Sequence, residues 1–107
     1  MDMFLNGAFK KAFSGKVLPV YNPATGAQLD TVPAADQADV DFAVSCAREG
    51  QRHWAAMPMW QRKTVIDRYC ELIAEHTEEL AQLLCLESAK PITQSRNEVG
   101  GLIYKLQ

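Results

Sequence analysis

Apolar positions recur along this chain in two rhythms. Through residue 34 they fall in short runs broken by turn residues, and from residue 36 onward they return every three or four positions. The first rhythm predicts β-hairpins over 1–34 and the second predicts helices over 36–107. Phe4-Leu5 is a short apolar piece followed by Asn6-Gly7, two residues that tolerate the positive φ of a two-residue hairpin turn. Phe9 begins the returning strand, Ser14-Gly15 marks a second turn, and Val17 to Tyr21 reads as a strand of β-branched and aromatic residues. In Asn22-Pro23-Ala24-Thr25-Gly26, Asn22 can hydrogen-bond the backbone ahead of it. Pro23 fixes φ at the first central position, and Gly26 accepts a left-handed exit. Leu29, Thr31 and Pro33 share one face of the outgoing strand, Asp30 and Val32 the other, and Pro33 is expected to end the ladder.

Asp36 is a plausible N-cap, with Asp39 three residues on in a box-like arrangement. Val40, Ala43, Val44, Ala47 and Trp54 then recur near helical spacing until Pro58 breaks the pattern. A second helix is expected to bring Val65, Ile66, Tyr69, Leu72, Ile73 and His76 to one face. Thr77 is expected to cap a third, with Glu78 and Glu79 in the first turn, where acidic groups favour the helix dipole. Its stripe is Leu80, Leu83, Leu84 and Glu87, and Pro91 is expected to stop it, because proline disfavours a helical residue before it. A fourth helix, from near Thr93, places Val99, Leu102, Ile103 and Leu106 on one side. The sequence stops at Gln107 inside that stripe, which suggests truncation. About four helices after hairpins make the segment α+β.

Composition narrows the chemistry. The 107 residues are 48% hydrophobic and 22% charged, ordinary values for a folded domain. Eleven basic against thirteen acidic residues leave a net charge of −2, with no basic stripe to draw nucleic acid or anionic lipid. No apolar run approaches the ~20 residues that span a bilayer, and the start has neither the basic residues nor the unbroken apolar stretch of a signal peptide. Cys46, Cys70 and Cys85 are odd in number and widely spaced, which fits reduced cytosolic thiols better than a disulfide framework or a zinc site.

Candidate reactive groups divide between a sharp and a bland reading. Cys46 lies mid-helix, Cys70 beside Glu71, and Cys85 between Leu84 and Leu86, so each reads as a small buried hydrophobe rather than a nucleophile. His53 and His76 have no ligand partner at i+4 and read as solvent-facing or core histidines, not metal ligands. Glu87 with Lys90 at i+3 reads as a helix-end ion pair. Glu98 reads as a partner for Lys90, Arg96 or a missing segment rather than as a general base. Trp54 and Trp60 flank Pro58 and read as anchors of a helix–helix corner rather than a nucleobase clamp. Gly100-Gly101 fits no phosphate-loop fingerprint.

Taken in order, these pieces resemble the aldehyde dehydrogenase superfamily. Phe4 to Phe9 resembles its first hairpin, and Val20-Tyr21-Asn22-Pro23-Ala24-Thr25-Gly26 its Asn-Pro-Ala-Thr-Gly turn. Asp39 to Val44, with Ala47-Arg48 and Trp54 beyond, is similar to its first helix, and Arg62 stands where its second helix carries an arginine. Glu87-Ser88-Ala89-Lys90-Pro91 resembles its Glu-x-Gly-Lys-Pro segment, and Glu98-Val99 its Glu-Val pair. Ala89 replaces the usual glycine, and Pro91 is therefore expected to close the helix here. The resemblance covers essentially the whole chain. It implies an α/β parent with a Rossmann-like cofactor domain, of which residues 1–107 are the N-terminal part of the NAD(P)-binding domain. It implies oxidation of an aldehyde to a carboxylic acid with NAD or NADP, through a cysteine thiolate and a glutamate-activated water. The parent would be a cytoplasmic homodimer or homotetramer. By the same resemblance, the catalytic, nucleotide-contacting and oligomerisation residues come later in the polypeptide, so this chain is expected to carry none and to be inactive alone. In some members the carbonyls corresponding to Val20 and Tyr21 help hold a monovalent cation. The alternative is a freestanding helical module, derived from a dehydrogenase gene, that binds a partner through the Val99–Leu106 stripe.

Overall fold

The computed structural model describes residues 1–106; Gln107, where the fourth apolar stripe breaks off, lies outside the described residues. The element order is β1 (Met3–Leu5), β2 (Ala8–Lys10), β3 (Val17–Tyr21), β4 (Gln28–Pro33), α1 (Gln37–Ala56), α2 (Met59–Glu75), α3 (Thr77–Ser88) and α4 (Ile92–Leu106). The chain forms two compact units, Met1–Tyr21 with Gln28–Met57 and Asn22–Ala27 with Pro58–Gln107.

In the first unit β1 pairs antiparallel with β2, Phe4 opposite Phe9, across a turn in which Asn6 and Gly7 both take positive φ, 52° and 76°. That conformation matches the right-handed twist of the strands, which is why asparagine and glycine sit there. The Phe4 and Phe9 rings meet edge to face at 5.2 Å. β3 pairs antiparallel with β4, with a register irregularity at Val20/Tyr21. Pro33 is the last strand residue, yet the ladder gains one more bond past it, because the Ala34 N–H donates to the Lys16 carbonyl. α1 opens on a capping box: Asp36 accepts from the amides of Ala38 and Asp39, and Asp39 accepts from the Asp36 amide.

Of the apolar stripe read from the sequence of α1, only Ala43 lies on the covered face. Val40, Val44 and Trp54 are exposed, whereas Phe42, Ala43 and Cys46 are half-buried and Asp39 is only 2% exposed. The reason is Asp39 itself. Besides its role in the box, its Oδ1 accepts the Phe13 amide at 2.9 Å, which rolls the start of α1 onto the segment after β2. Phe42 then meets the Phe13 ring edge to face at 5.8 Å, with Lys10 Nζ 4.5 Å from the Phe42 centroid.

In the second unit α2, α3 and α4 share a core of Ile73, Ala81 and Val99, against which Ile92, Ile103 and Leu106 pack. Ala81 and Ser95 are wholly enclosed. Side chains this small let helices approach closely, which is how 12- and 15-residue helices can bury a shared seam. Both helix-breaking prolines stand just before a helix. The carbonyl of Pro58 accepts from Gln61 and Arg62, and that of Pro91 from Gln94 and Ser95. A proline costs nothing there, since the first amides of a helix have no intrahelical acceptor.

The sequence reading needs several corrections here. On α2, the covered residues are Ile66, Cys70 and Ile73, while Val65, Tyr69 and Leu72 stay open and His76 lies beyond the last helical residue. On α3, Ala81 is enclosed and Leu84 and Cys85 are half-buried, but Leu80 and Leu83 are exposed. Thr77 is not a cap: its hydroxyl donates backward to the carbonyls of Ile73 and Ala74, and His76 holds the cap position without a side-chain bond. On α4, Leu102 is exposed while Ser95 is enclosed. Finally, Pro91 does not stop α3. The helix ends at Ser88 with Ala89 in the left-handed region at φ 56°, ψ 21°, two residues before the proline.

Candidate functional site

The candidate residues do not converge on one centre. In the turn, Asn22 Oδ1 accepts from the amides of Ala24 at 2.8 Å and Thr25 at 3.3 Å, and the Asn22 carbonyl accepts from the Gly26 amide at 2.8 Å. Gly26 holds φ 72°, a left-handed conformation that strains most residues with a Cβ. Pro23 sets the bend between these two anchors.

Around the α3–α4 corner, Ser88 Oγ donates to the Leu84 carbonyl at 2.6 Å and lies 3.4 Å from the Lys90 amide nitrogen, which it accepts from. Lys90 Nζ lies 2.6 Å from Glu98 Oε1. The expected Glu87–Lys90 pair is absent among the described residues. The left-handed step at Ala89 ends α3 before Lys90, whose amine meets Glu98 on α4, and Glu87 stays exposed. Further along, Arg96 makes a two-pronged bond to Glu78, with Nε to Oε2 and Nη2 to Oε1 both at 2.8 Å. The guanidinium of Arg96, helped by the Gln82 amide, pulls the Glu78 carboxyl down to about 2. This pair joins residues 18 apart, whereas the sequence offered Glu78 only to the helix dipole and Arg96 only as a partner of Glu98.

Arg62 is half-buried on α2; its Nε has lost contact with solvent and has no hydrogen-bond acceptor among the described residues. The enclosed Ser95 Oγ is likewise unpaired. Trp54 is 37% and Trp60 68% exposed. Cys70 is buried, Cys46 and Cys85 are half-buried, and all three are free thiols. His76 Nδ1 stands 3.0 Å from Glu79 Oε2. No group of three or more His, Cys, Asp or Glu residues could hold a metal ion among the described residues. No described helix is long and apolar enough to cross a membrane.

Hollows open on the surface of the described residues. One of ≈ 460 Å³ runs along α1 beside Arg48 and Arg52, and one of ≈ 730 Å³ lies beside Leu84, Glu98 and Leu102. A third of ≈ 190 Å³ lies under Lys16 and Pro33. The first two are formed by the middles of helices. A dinucleotide pyrophosphate is held by a glycine-rich turn and a helix N-terminus, and neither opens into them. Of the Val99–Leu106 stripe, Val99 is buried, Ile103 and Leu106 are half-buried against the core, and Leu102 is exposed.

Comparison with known proteins places these features. A profile described as the aldehyde dehydrogenase family matches residues 9–107. The NAD+ complex of an aldehyde dehydrogenase from Bacillus cereus is 37% identical, covers 99% of this chain and 22% of that one, and superposes with a TM-score of 0.94. An NAD-dependent aldehyde dehydrogenase from Sinorhizobium meliloti is 31% identical over 98% of this chain and 22% of that one, with a TM-score of 0.93. An NADP-dependent glyceraldehyde-3-phosphate dehydrogenase from Bacillus halodurans, complexed with NADP, is 28% identical over 90% of this chain and 20% of that one, with a TM-score of 0.87. The chain spans about a fifth of the length of these structures.

Proposed function

The chain belongs to the aldehyde dehydrogenase family, and from that premise we propose that it is the N-terminal part of the cofactor-binding domain of an NAD(P)-dependent enzyme that oxidises an aldehyde to a carboxylic acid. The observation that carries this reading is the superposition of nearly the whole chain, 99% of it, on 22% of a dehydrogenase solved with NAD+. Relatives with NAD and with NADP both superpose, so the parent takes one of the two nicotinamide cofactors. Its role in this segment is scaffolding. The hairpins and helices shape one flank of the domain, while the cofactor, nucleophile and base sites belong to polypeptide beyond residue 107. The family resemblance favours a cytoplasmic homodimer or homotetramer as the working form.

On this reading the 107-residue chain has no turnover of its own. Pure chain mixed with NAD or NADP and a panel of aliphatic and aromatic aldehydes is expected to give no reduced nicotinamide by absorbance. The longer protein that carries this segment is expected to give it with at least one aldehyde. Cofactor reduction by the pure chain would overturn the assignment of a scaffolding role, and a longer protein inert toward every aldehyde would overturn the assignment of the reaction.

A further inference from the structure

The β1–β2 turn holds a chemically reactive pair. In an Asn-Gly sequence the glycine backbone nitrogen can attack the asparagine Cγ, and the glycine has no Cβ to obstruct the approach. Leu5 pairs with Ala8, so Asn6 and Gly7 are the whole loop, and both are exposed. A Cβ built on Gly7 would meet nothing within 4 Å, so no neighbour shields the pair. What protects it is torsion. The two positive φ values, 52° and 76°, are those of a type I′ turn. This turn mirrors type I, so its first central residue has ψ of about +30°. At that ψ the Gly7 nitrogen lies nearly anti to the Asn6 Cβ across the Cα–C bond. Ring closure needs the two on the same side, so ψ must rotate out of the turn, and the Leu5–Ala8 pairing prevents that. The lock is weak. β1 and β2 have three residues each and form a sheet of two strands, a size that is marginal in water. Its added support is the edge-to-face contact of Phe4 and Phe9, whose rings are 64% and 72% exposed.

We propose that Asn6 is a self-modification site gated by this hairpin: when β1 and β2 part, Asn6 deamidates, and one of the two products keeps the turn from re-forming. The Gly7 nitrogen gives up its proton and attacks Asn6 Cγ. The bond from Cγ to the side-chain nitrogen breaks, and that nitrogen leaves as ammonia, carrying the proton, while a five-membered succinimide closes. Water then opens the ring. Addition at Cγ, with cleavage of its bond to the Gly7 nitrogen, gives aspartate in the original backbone. Addition at the main-chain carbonyl gives isoaspartate, whose backbone runs through Cβ and Cγ. Neither step changes an oxidation state. Aspartate keeps the turn, because Asp-Gly suits type I′ as Asn-Gly does. Isoaspartate lengthens the loop by one backbone atom, so Leu5 no longer closes opposite Ala8 and the register fixed by the turn is lost. The change runs one way, so the hairpin records the time it has spent open.

The 107-residue chain and the longer protein that carries it are incubated at mildly alkaline pH, and peptide mass spectrometry follows amide-to-acid conversion and separates the two products. Asn6 should convert faster than Asn97, which is held within α4, and more slowly than Asn6 in the urea-unfolded chain. Phe4→Ala removes the ring contact and should raise the Asn6 rate by roughly two- to tenfold, the weight of an aromatic pair in the opening equilibrium. In urea well below the unfolding midpoint the rate should stay nearly flat, since a local opening exposes little surface. In the isoaspartyl product the proton–proton contacts between the Phe4 and Phe9 rings should vanish from the nuclear magnetic resonance spectrum, whereas Asn6→Asp should keep them. An Asn6 that is inert in the folded protein, or reacts as fast folded as unfolded, would overturn the proposal. So would a rate that Phe4→Ala leaves unchanged, or one that climbs in step with global unfolding. No readout uses turnover, so the outcome is separate from that of the proposed reaction.

Discussion

Replacing Ala89 with glycine should stabilise this chain. Ala89 closes α3 at φ 56°, ψ 21°, where its methyl group crowds the following carbonyl, and the residue is exposed, so no packing is lost with the methyl. A non-glycine residue in the left-handed region is strained by about 1–2 kcal/mol. Glycine removes that strain but gives the unfolded chain more freedom, which offsets roughly 0.4–1 kcal/mol of the gain. The net is ~0.5–1 kcal/mol in favour of Ala89→Gly, or an increase in Tm of roughly 3–6 °C for a domain of this size. Thermal and urea unfolding followed by far-ultraviolet circular dichroism would read it, with an unchanged urea slope as the check that only stability moved. Ala74→Gly is the internal control. Ala74 is also exposed but sits within α2 with ordinary helical backbone, so there the same chemical change should destabilise. Shifts of the same sign at the two sites, or a lower Tm for Ala89→Gly, would refute the idea that left-handed strain is stored at this corner.

Three further outcomes follow from particular contacts. Ser95→Ala removes an enclosed, unpaired hydroxyl and improves helix propensity, and should raise stability by about 0.5–2 kcal/mol, read as a higher urea midpoint; a lower midpoint would mean that Oγ has an acceptor. Asp39→Ala abolishes both the capping box and the bond to the Phe13 amide and should cost about 1–3 kcal/mol. It should also speed amide hydrogen exchange at Phe13, and unchanged exchange there would refute the tie. Glu78 titrates at about 2 when folded against 4.5 ordinarily, so the Arg96 pair contributes fully above pH 4.5 and is lost as pH falls through about 2. Glu78→Gln should flatten that part of the pH–midpoint curve, and an unaltered slope would show the pair to be silent.

What could be read from the sequence was local. Asn6-Gly7 demanded positive φ at two adjacent positions, Asn22 and Gly26 bracketed a turn, and Asp36 with Asp39 announced a helix start, because each feature is decided by bonds within four residues. The prolines at 58 and 91 marked helix boundaries for the same reason, although Pro91 opens α4 rather than closing α3. The order of these local signals was also enough to reveal the family, and with it the kind of reaction proposed. What the sequence left open was which face of each helix is buried. The apolar arcs are wider than any one partner covers, so Val40, Tyr69 and Leu83 read as inward and stayed exposed, while Phe42 and Ala81, outside the stripes, were covered by the packing. Only the tertiary structure decided that Asp39 reaches back to Phe13, that Lys90, among the partners the sequence offered, is the one that meets Glu98, and that Arg96 clasps Glu78. Those outcomes depend on where distant segments arrive, and no spacing along the chain records that.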